Sequence, residues 1–163
     1  MTTITSSRAN TETATGSAPA ATRAPVGQKA RDAVLSAFRI VTSFLFALHG
    51  AQGLFGAFGG VDGNGGAVPM GIWPSWWGSA VELVAGGFVL LGLFSRVAAI
   101  LCSGSMAYAY FVVHQPMGLL PLENMGEPAA LYCWIFLLLA VVGPGSFALD
   151  TVLRRRNRAD ALA

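Results

Sequence analysis

Charge is what this sequence has least of. Of its 163 residues 11% are charged and 54% hydrophobic, with a mean hydropathy of +0.59. Soluble domains average about 25% charged residues, so the deficit excludes a water-soluble surface for a chain of this size. Cysteine is nearly as scarce, with only Cys102 and Cys133. They form no CxxC pair, which excludes zinc-ribbon and thioredoxin-like chemistry. Both stand inside apolar runs, where a pair of small buried hydrophobes is a better reading than a redox couple. No haem-attachment motif and no dinucleotide-binding glycine fingerprint is present, so no covalently bound cofactor is expected. The two histidines, His49 and His114, have no metal-ligand spacing, and no metal site is expected.

What the sequence does have is apolar residues gathered in blocks, the pattern of membrane spans. Residues 1–30 are rich in Thr, Ala and Ser, with two prolines and no apolar periodicity. They cannot bury enough surface to offset their ordering entropy, and a disordered cytoplasmic tail is expected there. A signal peptide fits less well, because Arg39 interrupts what would be its apolar core. A membrane domain is expected over 31–153, with helical spans at about 33–55, 75–94, 97–113 and 128–149, each near the ~20 residues a bilayer requires. The resulting fold class is all-α: an integral membrane four-helix transmembrane bundle. Residues 154–163 open with "RRRNR" and form a basic cytoplasmic tail.

The ten Lys and Arg residues test this topology. They fall before the first span, at Arg39 just inside it, in the Ser95–Arg96 turn, or after the fourth span. The other connectors, 56–74 and 114–127, hold none of them and carry Asp62, Glu123 and Glu127. Basic residues gather on the cytoplasmic side of membrane proteins, so both termini are placed in the cytoplasm. The same reasoning assigns the basic tail to topology, with the lipid bilayer as partner and no nucleic acid. The glycine-rich 56–74 connector is expected to be flexible or re-entrant. Segment 114–127 is expected to lie along the interface. Trp73, Trp76 and Trp77 read as an aromatic belt in preference to a ligand cage.

Polar residues inside the spans are the candidates for chemistry. At ~1.5 Å of rise per residue, Arg39 lies roughly 9 Å and His49 roughly 24 Å from the inner face, and Glu82 roughly 10 Å below the outer one. Gln52, Tyr110, His114 and Tyr132 fall in the same outer half as His49 and Glu82. At ~100° per residue, Arg39, Thr42, Phe46, His49 and Gly53 share one side of the first span, with Gln52 at its border. Gly78, Glu82 and Gly86 form a row on the second span. Ala99, Ser103, Ala107, Tyr110 and His114 share a face of the third. Small residues at such spacing let helices approach closely in lipid, so these faces are expected to point into the bundle. A carboxylate at the depth of Glu82 must be paired, hydrogen-bonded or protonated. His49 is its expected partner, while Arg39 stands more than two turns away. The plainer alternatives are a His–Glu pair that only joins two helices, an Arg39 that snorkels to headgroups, and an interfacial His114.

These residues resemble the DoxX family of small four-span membrane proteins. The resemblance is carried by Arg39 followed by "LHGAQGLFGAF", by "VELVAGGFVLLGLFSRVAAI" over residues 81–100, and by "GPGSFALD" over residues 143–150. It covers about residues 33–152. Family members often carry lysine where Gln52 stands, which puts in doubt any role requiring a cation there. The resemblance implies a bacterial inner-membrane protein. Some relatives look like subunits of a thiosulfate:quinone oxidoreductase, and others are linked to membrane complexes serving thiol and oxidative-stress balance. The function this implies is a non-catalytic or catalytic membrane subunit of a quinone-linked oxidoreductase complex. Glu82 and His49 are its candidate catalytic pair, with Arg39, Gln52, Tyr110, His114 and Tyr132 as further residues of a quinone or polar site. Its partners would be other redox subunits, and homo-oligomerisation stays open. The alternatives are a non-enzymatic scaffold that recruits soluble proteins and, less well supported, a small-solute transporter.

Overall fold

The computed structural model describes residues 26–153. Most of the expected disordered tail and all of the basic 154–163 segment lie outside the described residues. Four helices follow one another in alternating direction: α1 Val26–Phe55, α2 Ser75–Leu91, α3 Ser95–Tyr108 and α4 Glu127–Val142. Helix α3 continues as a π-helical stretch, Ala109–His114, and a 3-10 turn, Gln115–Met117. No strand forms among the described residues; Gly60 and Gly66 make one isolated bridge. The near end of the molecule holds the start of α1 and the end of α4, and the far end holds the two longer connectors.

The element limits differ from the sequence reading at several points, each for a local reason. Helix α1 starts at Val26, because Gln28, Lys29, Ala30 and Arg31 are good helix formers and nothing breaks the run into the apolar block. Helix α2 stops at Leu91, short of the expected residue 94. Gly92 takes a left-handed conformation, and Leu93 N–H bonds back to Phe88 O at 2.9 Å, the reversal that ends many helices. Helix α4 stops at Val142, not 149, because Gly143 (φ 97) and Pro144 cannot continue it. The "GPGSFALD" segment instead folds across the near end, where Asp150 N–H bonds Gly92 O at 2.9 Å. The glycine-rich far-end connector, expected to be flexible or re-entrant, is bonded to the far end of α1. Val68 N–H bonds Gly53 O at 2.7 Å, and Asp62 Oδ1 accepts the Asn64 and Gly66 amides at 2.9 and 2.8 Å.

Around Phe46, Phe136 and Val89 the interior is filled by many small and polar residues, while the outside carries large apolar ones. Ala85, Ala98, Ala99, Ala140, Ser36, Ser43, Ser79 and Ser103 are buried, while Val34, Leu101, Trp134 and Val141 are exposed. That inversion suits lipid, where close backbone approach holds helices together better than apolar burial does. Helix α1 meets α2 in this way at Gly50, where a Cβ would strike Ser79 O and Leu83 N. Helices α3 and α4 are tied by Ser103 Oγ–H donating to Cys133 O at 2.9 Å. Phe46 closes the bundle against α4, with ring centroids 4.6 Å from Phe136 and 5.1 Å from Tyr132. Helices α1 (from Gly27) and α3 with its extension (Ser95–Met117) are each long and apolar enough to cross a membrane, while α2 and α4 are shorter apolar helices.

Candidate functional site

The polar side chains of the spans separate into two groups at opposite ends. At the near end Arg39 is 1% exposed, and its guanidinium is spent on backbone carbonyls. It donates to Val89 O and Leu90 O at the end of α2, to Pro144 O at 2.9 Å and to Phe147 O at 3.1 Å. The last carbonyls of a helix have no intrahelical donor, and a buried unpaired carbonyl is costly. Arg39 therefore caps α2 and pins the 143–147 segment beneath it. Of the two plainer roles expected for Arg39, snorkelling or structural pairing, the contacts are those of structural pairing. Asp150 does the converse for α3, accepting Phe94 N–H and Ser95 N–H at 3.0 Å each and Ser95 Oγ–H at 3.1 Å.

The second group gathers toward the far end, between α2 and α3. A cleft of about 630 Å³ there is lined by Glu82, His114, Tyr108, Trp73 and Trp77, with Ser79, Ser105 and Met106 among the other walls. Glu82 is half-buried, and its carboxylate accepts no hydrogen bond and makes no ion pair among the described residues. His114 is held by Nδ1 at 3.0 Å from Asn124 O. A carbonyl only accepts, so Nδ1 carries the proton and Nε2 is the uncommitted nitrogen. Asn124 is itself 1% exposed and fixed by Gly118 O and Gly126 N–H, at 2.8 Å each. Trp73 Nε1–H donates to Tyr108 OH at 3.0 Å across the cleft mouth.

Of the residues singled out from sequence, the structure brings Glu82 and His114 to one cleft. It packs Tyr132 against Phe46 and Phe136 and sets the others elsewhere. The expected His49–Glu82 contact is not formed. His49 is exposed and meets Tyr132 edge-on, with centroids 6.0 Å apart. The buried arc of α1 runs through Thr42, Gly53, Phe46, Arg39, Gly50 and Ser43, and His49 lies just beyond its edge on the α4 side. Gln52 donates to Gly60 O at 2.9 Å and staples the far-end connector to α1. Tyr110 packs against the core and donates to Leu119 O at 3.5 Å. Sequence reasoning did not single out Tyr108 or Asn124 for a site. Tyr108 could not have been found from spacing, because six residues do not return a helix to the face of His114. Nor could Asn124, because its role depends on the fold of its loop.

Comparison with known proteins gives the family. The sequence model of the DoxX family matches residues 34–115. An uncharacterized protein of Haemophilus influenzae is 37% identical over 128 residues, covering 76% of this chain and 92% of that one. No solved structure matches the chain. The apolar helices, their exposed large side chains and these matches together mark a helical membrane protein in contact with the bilayer. The chain belongs to the DoxX family.

Proposed function

We propose that this protein is a four-span inner-membrane subunit of a quinone-linked oxidoreductase complex, with its head-group site in the α2–α3 cleft. The observation that carries the reading is an unpartnered Glu82 carboxylate opening onto a largely apolar, aromatic-walled cleft beside His114. Ionisable groups inside membrane helices are costly and mark functional sites, and the cleft volume falls in the ~300–1,000 Å³ range of ligand pockets. Basic residues mark the near end as cytoplasmic, which puts the cleft toward the outer leaflet.

The residues present suit a ring with two oxygen atoms. A bound quinone would supply the paired electron and proton chemistry, with the electron carrier on a partner subunit. Glu82 exchanges a proton with one oxygen at the inner wall of the cleft. His114, its tautomer set by Asn124, presents Nε2 as a second proton-handling atom. Trp73, Trp77 and Tyr108 hold the ring by packing and exclude water. His49 has no part in this site, and Arg39 serves it only by holding α2 in place. A scaffold role is the second reading, favoured by the exposed Met70, Leu119 and Leu122 of the far-end loops.

The test is quinone-dependent electron transfer in native membranes carrying Glu82→Gln at unchanged abundance. Loss of general acid–base action lowers the rate by about a hundredfold or more. A rate equal to wild type overturns the reading.

A further inference from the structure

We infer that the α2–α3 cleft is loaded sideways from the lipid, through a portal strapped by Trp73 and Tyr108, by a ligand whose apolar tail stays in the bilayer while its head reaches Glu82. The inference rests on the reading of the cleft as a head-group site and adds the route and the tail.

Glycines on both walls supply the first observation. Gly50 and Gly53 on α1 are needed because a Cβ would collide with α2. Gly78 on α2 and Gly104 on α3 differ, since a Cβ at either would meet nothing within 4 Å. Both line the cleft, so their missing side chains leave space between α2 and α3 where close packing would otherwise fill it.

The second observation is where that space opens. Ile100, Leu101 and Val113 line the cleft and are also exposed on the outside of the bundle, so the opening pierces the apolar wall. Apart from Glu82 and His114 the lining carries no charged side chain. A ligand arriving from water would cross that apolar rim against its solvation. One dissolved in lipid would not. Its tail would rest against the same apolar residues that face the acyl chains.

The third observation is the strap. Trp73, just before α2, and Tyr108, at the end of α3, are joined across the mouth by a hydrogen bond of 3.0 Å and an edge contact with centroids 5.4 Å apart. Both rings are exposed, and one sits on the turn before α2 while the other ends α3, so they are held to each other by this contact and not by a shared helix. Once they part, Tyr108 OH is available to the entering head group.

The experiment photolabels the full chain in lipid nanodiscs with two azidobenzoquinones of identical head group, one with a decyl tail and one without. The decyl probe labels residues 73–82 and 100–114 at least about tenfold more strongly, because each tail methylene favours the lipid-side position. Gly104→Leu, or Gly78→Leu from the opposite wall should the first variant fail to fold, abolishes that labelling by filling the space. Trp73→Phe removes the donor of the strap and speeds labelling by up to about tenfold, the scale of one lost hydrogen bond. Equal labelling of the cleft by both probes overturns sideways loading while the head-group site stands. Labelling that persists in both glycine variants overturns the cleft as the place of binding. An unchanged rate in Trp73→Phe overturns the strap. No labelling by either probe overturns this inference and the head-group site together.

Discussion

Arg39 shows what one side chain can hold together. Its acceptors lie 50 to 51 residues away at the end of α2 and 105 to 108 residues away in the segment after α4. The sequence shows a cation inside an apolar run. It cannot show that the partners are carbonyls, because every residue has one and only the fold selects which are left over. Arg39→Ala is expected to lower stability by on the order of 3 kcal/mol, since several buried carbonyls lose their donor together. Arg39→Lys recovers part of this, because an ammonium lacks the planar fork that spans both segments. The thermal unfolding midpoint in detergent, compared across the three proteins, checks both statements. Glu82 stood out as a candidate for a related reason: an acid in an apolar helix needs an explanation wherever it points. His49 was not, since it lies within a few tens of degrees of the buried arc and a 100° wheel cannot resolve that edge.

At the scale of the element, helix interiors were easier to read than helix ends. Apolar periodicity located all four helices, but Gly92 and Gly143 end theirs by backbone conformations that composition alone does not weigh. The π-helical stretch over Ala109–His114 was likewise hidden, since i→i+5 bonding has no residue signature, and such stretches occur often at functional sites. The far-end connector left two readings open, flexible or re-entrant. Its glycines serve a compact turn around Asp62. The Asn64 and Gly66 amides hold the Asp62 carboxyl below the usual carboxylate range. A depressed acid contributes order that is fully present above its unfolded value and lost as pH falls through its folded value. Amide exchange at Gly66 is therefore expected to lose protection on acidification below the ordinary carboxylate range. Asp62→Ala is expected to abolish that pH dependence. Protection at Gly66 that is the same at low and neutral pH in the wild type would contradict the role given to Asp62.

Over the whole molecule, two kinds of polar site share one small bundle. The near end uses Arg39 and Asp150 to satisfy backbone groups. The far end leaves Glu82 without a partner beside a cleft that two glycines keep open. Low charge and blocks of apolar residues made the helical class readable from sequence. Which polar residues meet was not readable, because it depends on the rotation of α2 and α3 about their axes. The central claim is that the Glu82 cleft holds a lipid-soluble head group. Its most direct test is the quinone content of the protein purified from native membranes in mild detergent. Wild type is expected to retain quinone in proportion to protein, and Gly104→Leu to retain almost none. A wild-type preparation free of quinone, or equal quinone in the two proteins, would contradict it.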